Sequence, residues 1–411
     1  MGVAVRAIEQ RFNADMSDHG TASLPCACCD SQMRYAGRRP KTFTTALGEM
    51  TLMRAYYVCA KCKAGFFPRD RALSLEETSL SPAVTRMTGI VGAMMSFSEG
   101  AELLKELAGI TVNAKQVERT AETLGVEIAD DERQYTEAPG DRALPSTLYL
   151  GMDGTGIPMR EEELRDRSGK QPDGSSKTRE VKLCVVWSAE SRDKDGCAVR
   201  DEGSVSYSAA IESAANNDVA ELSDFGKRVD REAKRRGFDK AKRQVVLGDG
   251  AAWIWNIAGE QFPNAIQIVD RFHVKQHLSD VGKAVYGPNS DLATGWTRFA
   301  CDALDRGEID NVIAAVDAHS ERFDLAKKCV KYLENNRDRM RYAEFKAQGL
   351  CTSSGVVEAG CKVAIGTRLK RAGMHWTVRG ANAIIALRCC KLSARFEDYW
   401  ERHAQQKSAA S

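Results

Sequence analysis

Long apolar runs are missing from this 411-residue chain: no stretch approaches the roughly 18 residues a membrane-spanning helix needs. The first residues also lack the charged and apolar regions of a secretory leader, so the expected compartment is the cytoplasm. No internal repeat or low-complexity tract stands out, apart from the small-residue tail Ser408–Ser411, which argues against a repeat architecture. Net charge is scarce too, at +2, and that balance alone speaks neither for nor against a nucleic-acid partner. The cysteine count is odd, 13, with no secretion signal, which argues against a disulfide framework and for thiols, some of them metal-bound.

What is present is the profile of a soluble globular protein, 43% hydrophobic and 28% charged. The length implies roughly two to four units. Charge is unevenly placed: Ala359–Ser411 holds ten Lys/Arg against three Asp/Glu, and Lys227–Arg243 holds nine against three. Either cluster alone reads most simply as a solvated face; two of them around candidate acidic sites favour a polyanionic partner.

Two Cys-x-x-Cys knuckles, Cys26/Cys29 and Cys59/Cys62, flank the alternating stretches Thr42–Leu47 and Met50–Val58, which predict a two-stranded ribbon. Four thiolates so spaced suit a tetrahedral structural Zn²⁺, with Cys28 as a spare that leaves the first knuckle ambiguous. Residues 1–75 thus read as a zinc ribbon region. In residues 76–140, Ser81-Pro82 predicts a capped helix, Ser96–Glu99 a capping box, and Leu103, Leu104 and Leu107 an apolar face ended by Gly109. Asn113 caps a further helix, and the outline is a helix-turn-helix in which Lys115, Gln116 and Arg119 would face DNA. A plain helical hairpin is the competing reading.

Beyond Pro139-Gly140 strands begin: Thr147–Met152, Glu180–Trp187, Ser204–Ile211, Gln244–Leu247 and Ala265–Val269, with helices Asp218–Gly237 and Ala251–Phe262. Residues 141–273 read as an α/β segment, 274–350 as wholly helical, and 351–411 as further helices. Asp153 closes the first strand, Asp249 the fourth, and Glu358 lies on the helix after the helical block. If the first and fourth strands are neighbours, Asp153 and Asp249 meet, and hard oxygen ligands there suit two Mg²⁺ or Mn²⁺ ions. The competing reading of Asp249 is an N-cap at a strand-to-helix turn.

The stretches Gly151–Pro158, Lys170–Gly174, Thr178–Lys182, Gly248–Asn256, Ile268–His273, Gly355–Lys362 and Trp376–Trp400 together resemble a DDE transposase of the bacterial insertion-sequence type, more narrowly the ISKra-type family. The resemblance implies a ribonuclease-H-like mixed-sheet core (141–273 and 351–411), Asp153, Asp249 and Glu358 as a catalytic triad holding two divalent ions, and a helical insertion (274–350) between the second Asp and the Glu. It also implies DNA partners (element ends and target), nucleoid association, and a homodimer or larger assembly when two ends are synapsed. Asp270-x-x-His273 resembles an element found at the start of such insertions; a structural or positioning role is favoured over zinc binding with His277.

Arg368, Lys370 and Arg371 are the expected phosphate-backbone contacts. Trp253 and Trp255 would either stack on a base or, more simply, pack the core. Cys389-Cys390 reads as buried thiol. The competing functions are a DNA-binding regulator on a transposase scaffold and a structure-specific nuclease without strand transfer.

Overall fold

The computed structural model describes residues 2–136, 144–165, 167–169, 171, 174, 176–194, 196–215 and 221–409. The expected boundary at Pro139-Gly140, Lys170, Pro172 and Asp173 of the Lys170–Gly174 stretch, and Asp218–Ala220 at the start of the expected basic helix lie outside them. The chain divides into two compact units: residues 1–129 with 394–411, and residues 130–393. No helix among the described residues is long and apolar enough to cross a membrane.

The first unit starts with α1 (Gly2–Ala14) and a four-stranded sheet, β1 (Ser23–Pro25), β2 (Gln32–Thr45), β3 (Gly48–Cys59) and β4 (Gly65–Phe66), in that order. The β2–β3 hairpin is longer than expected and turns at Ala46-Leu47, where Gly48 has φ +126°. The short α2 (Pro68–Ala72) leads to α3 (Pro82–Met94), α4 (Phe97–Ala108) and α5 (Ala114–Gln134). Their caps follow the sequence signals. Ser81 accepts from Val84 N, Ser96 and Glu99 form the capping box, and Gly109 closes α4 at φ +65°. Leu104 is buried with Val84, Val91, Ile110 and Val117. Leu107, expected on that face, is instead exposed: the packed stripe runs through 97, 101, 104 and 108, and 107 falls outside it.

The second unit holds a five-stranded mixed sheet built from β5 (Thr147–Pro158), β6 (Thr178–Ser188), β9 (Ser206–Ala210), β10 (Arg243–Gly248) and β11 (Ile266–Val269), with a small hairpin of β7 (Ser191–Arg192) and β8 (Ala198–Val199) between β6 and β9. The order is β11-β10-β5-β6-β9; β5, β6 and β9 run antiparallel, and β10 and β11 run parallel to β5. β6 is buried continuously from Val181 to Ser188, because helices cover both faces. On one face lie α6 (Asp224–Arg236) and α7 (Ala252–Gln261).

Residues 274–350, expected to be helical, carry helices with no strand: α8 (Arg271–Tyr286), α9 (Asp291–Asp305), α10 (Ile309–Asp317), α11 (Asp324–Asn335) and α12 (Tyr342–Ala347). Next, α13 (Gly355–Gly360) continues through a π-helical turn, Cys361–Gly366, into α14 (Thr367–Leu369). It covers the other face of the sheet. A Cβ at Gly151 would overlap Val357, and one at Gly360 would sit 3.0 Å from Leu183, so these two glycines let α13 approach. α15 (Val378–Leu392) packs on β9, and Cys389 and Cys390 within it are buried. The final α16 (Phe396–Ala409) belongs to the first unit, not to the core where residues 394–411 were expected.

Candidate functional site

The four cysteines form a closed constellation. Cys26, Cys29, Cys59 and Cys62 place their sulfurs within 4.8 Å of one another and could hold a metal ion such as zinc. Cys26 and Cys62 are 3.5 Å apart and Cys29 and Cys59 3.6 Å, close to the roughly 3.8 Å edge of a tetrahedron with ~2.3 Å metal–sulfur bonds. The two knuckles share one backbone design. Cys26 N donates to Ser31 O and Asp30 N to Cys26 O; likewise Cys59 N donates to Ala64 O and Lys63 N to Cys59 O. The fifth residue of each, Asp30 and Lys63, has positive φ. Cys28 is exposed and stands outside the cluster, which resolves the ambiguity of the first knuckle.

In the second unit, strand pairing brings the first two acids together. The parallel register Leu247↔Gly151 puts Asp249, two residues on, level with Asp153 across the β5–β10 pair. Asp153 was expected to close its strand, but β5 runs on to Pro158 because β6 pairs with it as far as Pro158↔Thr178. Asp153 Oδ1 accepts from Gly154 N at 2.6 Å, and Oδ2 lies 3.3 Å from the Cys361 thiol. Burial raises the Asp153 pKa, and the nearby Asp249 charge adds to the rise. Asp249 Oδ1 accepts from Ala251 N at 2.9 Å. The N-cap of α7 is Ala251 itself, so Asp249 closes an Asx-type turn ahead of the helix.

Glu358 sits on α13, 59% exposed in its side chain and paired with Lys362 at 2.8 Å. Among the described residues the four-cysteine group is the only set of three or more metal-ligating side chains within 4.8 Å, so the three acids are not gathered into one tight cage. Each of the two aspartates has one carboxylate oxygen fixed by a backbone N–H, Asp153 within β5 and Asp249 just beyond the end of β10, and carboxylate oxygens are the donor class that hard divalent ions take.

Asp270 and His273, at the start of α8, lie at this end of the sheet. Asp270, buried, caps α8 through Phe272 N and His273 N and also accepts from Ser354 N just before α13. It thereby ties β11 to the helix that carries Glu358. Burial works to raise its pKa, but the hydrogen bonds from His273 and Ser354 outweigh it and the net shift is downward. His273 lies 3.7 Å from Asp270, and its pKa is raised by Asp270 first, with Asp249 and Asp153 contributing. A depressed carboxylate pKa stabilises the fold above the unfolded value near 3.9 and loses that contribution as pH falls through the folded value. Asp270→Ala will therefore cost about 1–3 kcal/mol at pH 6 in urea unfolding, with a smaller gap at pH 3. An equal gap at both pH values would refute the role.

Tyr332 of α11 donates to Asp249 O at 2.8 Å and packs against His277, ring centroids 4.4 Å apart. Gly250 has φ +104°, and a Cβ there would overlap the Tyr332 ring. Gly250→Ala will lower stability by ~1–3 kcal/mol and loosen the Asp249 turn, read as a drop in melting temperature; an unchanged melting temperature would contradict this packing.

The expected basic contacts divide. Arg368 is 0% exposed and lies over the Trp376 ring, so it is a core cation and not a surface contact. Lys370 is exposed and bonded to Thr155 Oγ1, on the same face of β5 as Asp153; Arg371 is exposed. The Lys227–Arg243 surplus is largely engaged within the fold, with Arg228 on Glu212, Arg235 on Glu232 and Arg236 on Ser204 O. In the first unit Lys115 is exposed but paired with Glu118, and the Gln116 amide is bonded to Ser79. Arg119 is exposed and, with Gln116, lines a cavity of about 360 Å³ that Glu76 and Glu77 also line. Trp255 is buried beneath Arg339, as core packing predicts, whereas Trp253 is half-buried with the Lys182 ammonium 4.4 Å from its ring centroid.

Sequence reasoning missed Tyr332 and the part played by Cys361. Cys361 lies within the Gly355–Lys362 stretch; Tyr332 is 83 positions from Asp249 and carries no sequence signal.

A UPF0236 protein in the vanSb 3′ region of Streptococcus gallolyticus is 21% identical over 379 residues, covering 87% of this chain and 74% of that protein. A Drosophila P element transposase in a strand transfer complex aligns over 83% of this chain and 84% of its own, at 8% identity and a TM-score of 0.28. The model of the uncharacterised protein family UPF0236 matches residues 30–402, and the chain belongs to that family.

Proposed function

We propose that the chain is a DNA transposase of the DDE insertion-sequence type, similar to the ISKra-type family, with a ribonuclease-H-like core. The observation that carries this reading is the parallel β5–β10 register, which ends at Leu247↔Gly151 and brings Asp249, just past β10, close enough to Asp153 for their charges to interact. A three-stranded antiparallel meander joined at its first strand to two parallel strands supports the core assignment. Asp153, Asp249 and Glu358 would hold two Mg²⁺ or Mn²⁺ ions. When bound, such ions supply Lewis acidity to the scissile phosphate and lower the pKa of the attacking water or 3′-hydroxyl.

The chain's own groups have separable tasks. Gly154 N and Ala251 N orient the two carboxylates. Asp270 holds the Glu358 helix to the sheet. Lys370 and Arg371 offer exposed cations near the acids for the DNA backbone, and Lys115 and Arg119 serve the same purpose in the first unit. Assembly of two chains on two element ends completes the reading.

The test is incubation of the full chain with duplexes carrying candidate element ends and Mg²⁺, resolving nicked from joined products. Nicking followed by joining of the 3′-end to target DNA is expected. Nicking without joining of pre-cut ends would leave a nuclease, and DNA binding with neither would leave a regulator.

A further inference from the structure

We propose that Cys361 is a positioning residue for Asp153. The inference rests on the reading of Asp153 as a metal-holding acid and adds to it what sets the orientation of that acid. The Asp153 carboxylate is gripped from two sides: Gly154 N takes Oδ1 at 2.6 Å, and the Cys361 thiol approaches Oδ2 at 3.3 Å. The first contact is internal to β5 and moves with it. The second comes from the helical segment that carries Glu358, three residues earlier.

Cys361 follows Glu358 by three residues on this segment; Glu358 is exposed and paired with Lys362, while Cys361 is buried against the sheet. Cys361 also opens the π-helical turn, a local break in helical phase of the kind found at functional sites. The segment lies close on the sheet because Gly151 and Gly360 remove the side chains that would hold it off. The thiol is thus a polar bond between the helix of the third acid and the strand of the first, made directly to the Asp153 carboxylate. A thiol donates weakly, which suits this position: it can fix a carboxylate rotamer while leaving the remaining lone pairs basic enough to bind a cation.

The test uses Mn²⁺ binding to the full chain, followed by calorimetry and by the electron paramagnetic resonance of free Mn²⁺, without any need for turnover. Wild type is expected to bind Mn²⁺ at a site that Asp153→Asn abolishes. Cys361→Ala is expected to weaken that site roughly tenfold or more, as loss of an outer hydrogen bond to a metal ligand does. Cys361→Ser, which restores a donor, is expected to recover most of the loss. Thermal melting of both variants separates misfolding from mispositioning, since the alanine and serine forms remove the same sulfur. An infrared difference spectrum, wild type minus Cys361→Ala, adds a readout independent of metal: its S–H band should move in Asp153→Asn.

Unchanged Mn²⁺ affinity in Cys361→Ala, with Asp153→Asn still abolishing binding, would overturn the positioning role alone. An S–H band indifferent to Asp153→Asn would overturn it as well. Absence of any Asp153-dependent Mn²⁺ site in wild type would overturn the reading of Asp153 itself, and the inference with it.

Discussion

With the four thiolates acting as a structural zinc site, Cys59→Ser is expected to abolish metal binding and unfold the β2–β3 ribbon around it. The sulfurs hold together the ends of a long hairpin whose local apolar cluster is small: Met33, Ala55 and Tyr57 with the buried Cys26 and Cys59. A structural zinc contributes about 10–16 kcal/mol of apparent binding energy, far more than such a cluster supplies, so metal and fold should be lost together. The same outcome is expected on chelation, and for Cys26→Ser, Cys29→Ser and Cys62→Ser. Cys28→Ser is the control, because Cys28 is exposed and outside the cluster, and it should keep one zinc per chain. Zinc content by mass spectrometry and protease sensitivity of residues 23–66 would be measured together. A chelated chain that stays protease-resistant across the ribbon would show that its apolar contacts suffice.

The second large effect concerns the acids. Asp153→Asn and Asp249→Asn are each expected to lower DNA cleavage by about 10³-fold or more, since a neutral amide holds a divalent ion poorly and the charge it would offset is lost. Glu358→Gln should do likewise. DNA binding should persist, because none of the three is needed for contact with the phosphate backbone. Stability should move the other way at position 153. Burial raises the Asp153 pKa, which means the folded state disfavours its charged form. The cost is absent below the unfolded value near 3.9 and fully present above the raised folded value. Asp153→Asn removes that charge, so at neutral pH the variant should melt no lower than wild type, and higher if the amide fits. Residual cleavage near the wild-type rate in any of the three variants would remove the triad; a marked loss of stability in Asp153→Asn would show that its charge is structurally required.

Much of the fold was legible because its signals are short-range. The Cys-x-x-Cys spacing, the cap at Ser81, the capping box at Ser96, the glycine stop at 109 and the alternation of strands with helices each depend on a few neighbouring residues, and each is found where expected. The end of the first strand was less legible. Asp153-Gly154-Thr155-Gly156 looks like a turn, yet two glycines beside a partner strand can also stay extended, and pairing with β6 decides that they do.

Side-chain direction was the least legible property. Arg368 and Lys370 are two residues apart, yet one is sealed beneath Trp376 and the other meets Thr155 at the surface. Composition counts both as basic, and only helical phase against the core separates them. The same holds for Leu104 and Leu107, and for the Lys227–Arg243 cluster, much of whose charge is taken up by internal carboxylates and carbonyls.

By itself the sequence determined the chemistry available to this protein: four thiolates in two knuckles, three separated acids, and a helical block between the second and the third. Tertiary structure alone decided which of these meet. Parallel pairing of β5 and β10 sets Asp153 beside Asp249 across 96 positions, and a glycine-lined approach brings the Cys361 thiol to Asp153 from 208 positions away. The physical reason is that register and packing are long-range choices: a slip of one residue in the β5–β10 pair would put Asp153 and Asp249 on opposite faces of the sheet and part them.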